Sequence, residues 1–429
     1  MSKARIYTGT VLVLGMVQLI ESIAFSIPMS YYPNYVIGLG ASVASVGFFT
    51  SSFALASAIM SPKIGSFSDR HGRKKIMILG LIGDIIVGAL TGLAPSWYWL
   101  LLIRIINGAV SSAAMLSSEA LLIDTVSLHR RGEASGFIMA MGMIGRNTGP
   151  MFGGIIQSVS FSQGSSLLDS YRVPYFVDSA MAGLALLLVV WKIKETRAED
   201  PMPTRAQSAS SSNIAKVPMS SSFKILLVST FVNGIGVGFL IPVMVLFYND
   251  KFGIEPVEIG LILSISGFVG LLASWAAGRL SDRAGRKPLI VAGSLLSRLC
   301  GFALPFTEDV TQAAGVLSAR SLGFNVSMPA LRALRADLSP AEVRGRFFGM
   351  YRTAFNAGDI IGPIISTYLY DLYRFRNLEL GGLVLPGYGI PFFANSILGI
   401  ATLIMLLVLV KEPAHSNVQP MQTQEKGND

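Results

Sequence analysis

Long apolar runs, each broken by a short polar or basic loop, are the dominant pattern of this 429-residue chain. Stretches of about 20 residues with few charges fall at 8–29, 43–62, 76–94, 98–126, 134–157 and 173–191. Six more follow at 224–248, 257–277, 288–306, 310–335, 346–370 and 388–410. At a rise of 1.5 Å per residue, each is long enough to cross about 30 Å of hydrocarbon as a helix. Runs such as Ala185-Leu186-Leu187-Leu188-Val189-Val190 are apolar on every side. That argues against the short alternating strands of a membrane β-barrel. The expected fold class is therefore an all-α membrane protein of 12 transmembrane helices. Lys3 and Arg5 precede the first stretch without a small-residue cleavage site after it, so this stretch is expected to remain as a spanning helix.

Composition agrees: 52% of residues are hydrophobic, 14% are charged, and mean hydropathy is +0.57, which leaves too little polar surface for a water-soluble globule. The net charge of +9 is distributed by topology rather than gathered into a nucleic-acid patch. Assigning loops alternately to two sides gathers nearly all basic residues on one face and leaves Arg172, Lys251, Arg374 and Arg376 on the other. By the positive-inside rule, the basic face and both termini are expected in the cytoplasm. Cys300 is the single cysteine, which excludes an intramolecular disulfide, and its place in an apolar stretch fits an inert buried thiol.

An internal repeat organises the chain. Gly65, Asp69, Arg70, Gly72 and Arg73 reappear 213 positions later as Gly278, Asp282, Arg283, Gly285 and Arg286. The same shift carries Asp124 onto Asp337, Arg131 onto Arg344, Gly136 onto Gly349, and Gly149-Pro150 onto Gly362-Pro363. Two related six-helix bundles are expected, at 1–192 and 223–412. A Pro/Ser-rich cytoplasmic linker at 193–222 and a tail at 413–429 complete the chain.

With these motifs in place, the chain resembles the major facilitator superfamily of secondary transporters over nearly its whole length. The loop Gly65–Lys75 is similar to the family's signature between helices 2 and 3, with Phe67 where Leu is usual. The resemblance implies a conformational latch, in which Asp69 meets Arg344 or Arg346 and, in mirror image, Asp282 meets Arg130 or Arg131. In helix 4, Leu100-x3-Arg104-x2-Asn107-Gly108 resembles the family's arginine motif. In helix 5, Gly136, Gly145, Gly149, Pro150, Gly153 and Gly154 match the signature of the drug/proton antiporters, with Arg146 inside it. Small residues at such spacings let helices pack closely, and proline removes one helical hydrogen bond.

Ionisable residues inside spans carry the candidate chemistry, because burying one costs at least about 3 kcal/mol on insertion scales. Counting rises from the span ends puts Arg104 about 9 Å and Glu21 about 10 Å from the outer boundary. The family lines its cavity with helices 1 and 4, so a Glu21–Arg104 pair is expected. Glu119, fifteen residues beyond Arg104 and near the same helix face, is a second proton-coupling candidate. Asn233 and Arg320 lie on helices that line the cavity by resemblance and are candidate substrate contacts. Asp84 and Arg298, on helices peripheral in the family, read as structural. Asp178 and Asp359 are further acidic groups within spans, and Arg352 is a further basic one. Arg146 and Asp359, equivalent in the repeat, are expected to have separate partners. Phe25, Tyr31, Tyr32 and Tyr35 read as an interfacial aromatic belt.

The resulting expectation is a proton-coupled antiporter in the cell membrane that exports small amphipathic compounds by alternating access. It is expected to act as a monomer, with protons, substrate and lipid as its partners. Transport of an organic anion through Arg104, Arg146, Arg320 and Arg352 is the alternative, and a non-transporting receptor a remote one. His71, His129 and His415 fall in loops or the tail, and no Gly-x4-Gly-Lys-Ser/Thr loop occurs. No metal, cofactor, nucleic acid or enzymatic activity is therefore expected.

Overall fold

The computed structural model describes residues 9–127, 130–195, 221–284, 286–339 and 344–410. Among them lie twelve helices of 18 residues or more, in two sets of six. The first set is α1 (Gly9–Ser26), α3 (Val46–His71), α4 (Arg73–Gly92), α5 (Trp97–Thr125), α6 (Arg131–Ser162) and α7 (Leu167–Lys192), with a short α2 (Tyr32–Gly38) after α1. The second is α8 (Ser221–Phe252), α9 (Pro256–Ala284), α10 (Arg286–Ala303), α11 (Val310–Asp337), α12 (Arg344–Tyr373) and α13 (Ile390–Leu409). By length and composition, nine of the described helices are apolar enough to cross a membrane. The other three, α6, α11 and α12, have 32, 28 and 30 residues and are more polar; they carry Arg146, Arg320 and Asp359. Most of the expected linker and the whole expected tail lie outside the described residues.

One element departs from an all-helical reading. Between α12 and α13, β1 (Asn377–Leu380) pairs antiparallel with β2 (Leu383–Pro386), Leu380 opposite Leu383. The two residues between them, Gly381 and Gly382, have φ of 58° and 85°. A two-residue hairpin of the primed type needs positive φ there, which glycine supplies without a steric penalty.

Within each half, one helix pair packs backbone to backbone. A Cβ on Gly145, Gly149 or Gly153 of α6 would run into backbone atoms of Leu19, Ile23 or Ile27 at α1. In the second half, Gly358 and Gly362 of α12 sit equally close to α8 at Phe231 and Ile235. Small residues are what permit this approach, since helices in lipid associate through close packing.

The two halves meet at the end away from the basic loops. There Asn34 donates to Asn249 Oδ1 at 2.8 Å, Thr367 Oγ1 donates to the Ala44 carbonyl at 2.9 Å, and Met151 N donates to Ser264 Oγ at 3.2 Å. Gly47 lies against Pro363, and Gly260 against Pro150. The basic-loop end is different. Added Cβ atoms on Gly65 of α3, Gly136 of α6, Gly278 of α9 and Gly349 of α12 would meet nothing within 4 Å. The four helices that join the halves therefore touch along one end and part toward the other, leaving a cleft open on the basic side.

Candidate functional site in the first bundle

A cavity of about 330 Å³ lies among α1, α3, α4, α5, α6 and α7. Glu21, Asp84, Asp178, Arg104 and Arg146 all line it, beside Phe25 and Phe53. Glu21 stands on α1 with its Oε1 buried and without a hydrogen-bond partner. Asp84 of α4 accepts a hydrogen bond from Ser111 Oγ of α5 at 2.8 Å. Asp178 of α7 sits where Gly88 of α4 leaves room for it and for Ser179. Glu21, Asp84 and Asp178 thus converge on one cavity from three helices.

The expected Glu21–Arg104 ion pair is not formed: no salt bridge within 4 Å joins them, although both face this cavity. Arg104 instead lays its guanidinium over the rings of Tyr32 and Phe53, 4.9 and 4.8 Å from their centroids. Its Nη1 reaches Asn107 Oδ1 only at 3.5 Å, and its Nε is buried without a partner. Aromatic faces attract a cation without neutralising it. Both residues line one cavity, and the direction of each side chain around its helix decides pairing.

Asp84, expected to be structural, lines the cavity while accepting from Ser111. Glu119 is exposed and does not line this cavity. The tyrosines near the closed end are not a lipid-facing belt. Tyr31 and Tyr35 are fully buried; Tyr31 stacks on Tyr171 with centroids 5.6 Å apart, and Tyr35 donates to the Thr91 carbonyl at 2.6 Å. Phe25 alone of that group is exposed, at the cavity.

Among the described residues, the loop motif makes ion pairs within each bundle. Asp69 pairs with Arg73 at 3.0 Å, and Arg73 also pairs with Asp124 across α4 and α5. Arg286 pairs with Asp337 in the second half. Gly72, at φ 101°, is the single residue between α3 and α4, and the Glu195 carboxylate fills the space beside it while accepting from Lys74 N at 3.0 Å. Arg70 and Arg346 are exposed, and Arg131 donates to the Val126 carbonyl at 3.3 Å. Gly285 and the side chains of Asp282, Arg283 and Arg344 lie outside the described residues. In the helix-5 motif, Gly154 packs on Pro256 of the other half, whereas Gly136 borders open space. Arg146 and Asp359 form no ion pair with each other within 4 Å.

Asn233 and Arg320 lie in the second bundle, away from the cavity just described. Asn233 Oδ1 accepts from Arg298 Nη2 at 3.0 Å. Arg298, expected to be structural, is the residue that organises this region.

Two six-helix bundles related by a repeat, with charged side chains lining a cavity in the first, have the architecture of a secondary transporter. The chain belongs to the Major Facilitator Superfamily, whose family model matches it at residues 14–225 and again at 226–427. It is similar to "Multidrug resistance protein MdtG" of Enterobacter lignolyticus (strain SCF1), 26% identical over 367 residues that cover 83% of this chain and 84% of that one. It is also 26% identical over 363 residues to "Multidrug resistance protein 2" of Bacillus subtilis (strain 168), covering 83% and 88% of the two chains. Among solved structures, the nucleoside transporter NupG superposes with a TM-score of 0.73 at 15% identity, covering 94% of this chain and all of that one. A bacterial homologue of the human lysosomal transporter Spinster, in an inward-facing and unoccupied conformation, gives 0.71 at 17%, with 93% and 94% covered. These likenesses establish the fold and an integral membrane transporter.

Proposed function

We propose that this protein exports small amphipathic or drug-like compounds in exchange for protons, with Glu21, Asp84 and Asp178 as the coupling group. The observation that carries this reading is the meeting of three carboxylates in one cavity whose other charges are Arg104 and Arg146. Carboxylates held together in a low-dielectric site repel one another, and either a proton or a cationic substrate relieves that repulsion. The two ligands therefore compete for one charge deficit, and alternating access turns that competition into exchange. Phe25, Phe53 and Met115 supply apolar and aromatic surface for the rest of the substrate.

The motif of closely packed glycines on α6 and the similarity to proteins named for multidrug resistance support the export direction. The crowding of basic loops at the open end supports a cytoplasmic assignment for that end and for both termini, in a cell or inner membrane. The conformation described is then inward-open.

The test is internal pH in proteoliposomes with an imposed proton gradient, while lipophilic cations, neutral drugs, organic acids and sugars are added singly. Proton movement triggered by cations or neutral drugs, and lost in Glu21→Gln, is the expected result. A response confined to organic acids, or a Glu21→Gln protein that still couples, overturns the assignment.

A further inference from the structure

The second bundle repeats the geometry of the first with the opposite charge. Glu21, Asp84, Arg104 and Asp178 correspond, helix for helix, to Asn233, Arg298, Arg320 and Asn395, each within four positions of the 213-residue repeat. Where the first bundle sets three acids in a cavity with Arg104 and Arg146, these positions of the second hold two arginines and two amides.

Arg298 is fixed. Its Nη1 donates to Asn395 Oδ1 of α13 at 2.8 Å and its Nη2 to Asn233 Oδ1 of α8, and its stem fills the space left by Gly399. Arg320 is not fixed. It stands on α11 beside Gly301 and Ser396, with no hydrogen bond and no ion pair to any described residue. Its residue is partly buried within the bundle. Arg298 reaches Asn395, the neighbour of Ser396 on α13, so both arginines approach the same stretch of that helix. Ser396 Oγ, next to Arg320 across Gly301, is buried and also lacks a partner.

An uncompensated pair of arginines inside a spanning bundle is expensive, and no carboxylate among the described residues comes within 4 Å of either. The neutral amides orient Arg298 without cancelling its charge. Asp359, the acidic residue of the neighbouring α12, makes no ion pair with them. A bound anion would complete the site: it would supply the missing charge, accept from the unused fork of Arg320, and accept from Ser396. The fork matches two oxygens held in one plane or on one phosphorus, the geometry of a carboxylate or phosphoryl group.

We propose that Arg298, Arg320 and Ser396 form an oxyanion-binding site in the second bundle, distinct from the carboxylate cavity of the first. The site takes the carboxylate or phosphoryl group of a small molecule. It stands independently of proton coupling, and together with the first cavity it would let the protein hold a substrate or pair of ligands bearing both signs of charge.

The test is thermal unfolding of the purified detergent-solubilised protein, with benzoate or inorganic phosphate added against sodium chloride of equal ionic strength. No gradient or transport is involved, so the result does not depend on the proton-exchange reading. Benzoate or phosphate is expected to raise the unfolding midpoint, with an affinity at least tenfold weaker in Arg320→Gln. Arg298→Gln should lose the effect too, but it also removes two hydrogen bonds and the packing at Gly399; Arg320→Gln breaks no described hydrogen bond and keeps the test decisive. Stabilisation by benzoate alone identifies the acidic group of an organic ligand as the occupant, and stabilisation by phosphate alone identifies a phosphoryl group. No stabilisation by either anion, equal stabilisation of the Arg320→Gln protein, or an equal effect from chloride overturns the proposal.

Discussion

Arg73 joins Asp124 across the basic-loop ends of α4 and α5, and 213 residues later Arg286 joins Asp337 across α10 and α11. The Arg73 side chain is 19% exposed and that of Asp124 28%, so water screens the pair only in part. Both pairs tie neighbouring helices within a bundle, so each braces its own half. Arg73→Ala is expected to lower stability by about 1 kcal/mol, the upper end for partly exposed pairs, and transport about fivefold. The charge-reversed double variant Arg73→Asp with Asp124→Arg should recover much of both. Unfolding midpoint and initial uptake rate in proteoliposomes check this, and failure of the reversal to rescue would assign the two residues separate roles.

Gly149 and Gly136 belong to one sequence motif yet occupy opposite surroundings. A methyl group at Gly149 would collide with Ser26 and the α1 backbone at Ile23, whereas Gly136 borders open space. Gly149→Ala should therefore cost about 1–3 kcal/mol through overpacking, with Gly136→Ala nearly neutral in this conformation. If the basic ends close during transport, Gly136→Val should bias the protein toward the open state and slow turnover. Comparative thermal stability and the labelling rate of cysteines introduced into the cleft separate these effects.

Asn34 and Asn249 hold the closed end together at 2.8 Å. Replacing both by cysteine in a Cys300→Ser background and bridging them with a short bifunctional reagent should abolish transport, and reductive cleavage of the bridge should restore it. Persistent transport in the bridged protein would mean that this end need not open.

Asp178 faces the same cavity as Glu21 and should contribute directly to binding of a cation. Asp178→Asn is expected to weaken binding of tetraphenylphosphonium about tenfold, the value of one charge-assisted contact of about 1.5 kcal/mol. In the wild type, ionised carboxylates attract the cation and protonated ones do not, so affinity should rise with pH. The variant should show a shallower rise. Equilibrium binding of the labelled cation across acidic and alkaline buffers measures both, and an unchanged slope would remove Asp178 from the coupling group.

The spans and their pairing were legible because hydropathy and an exact 213-residue register survive in the chain. The hairpin was legible in principle, since Gly381-Gly382 separates two apolar segments, but it was hidden beside the stronger periodicity of helices. The facing of individual side chains was not legible. α4 and α7 are apolar around most of their circumference, so the pattern does not reveal that Asp84 and Asp178 turn toward Glu21. The same limit hid Arg298, whose two amide partners lie on α8 and α13, far away in sequence. Both acids and Arg298 were visible as charges in lipid-length segments, and that signal deserved more weight than their helix numbers.

The closed end described above contains hydrogen bonds, hydroxyls and glycines pressed on carbonyls, and no ion pair between the halves among the described residues. Salt therefore has little hold on it: screening acts on charges, and this seam has none to screen. The opposite end is rich in charge, so ionic strength should shift the balance between the two conformations through one end only. The repeat that makes the halves alike in backbone thus leaves the protein with two ends of different chemistry, one held by packing and the other facing the electrolyte.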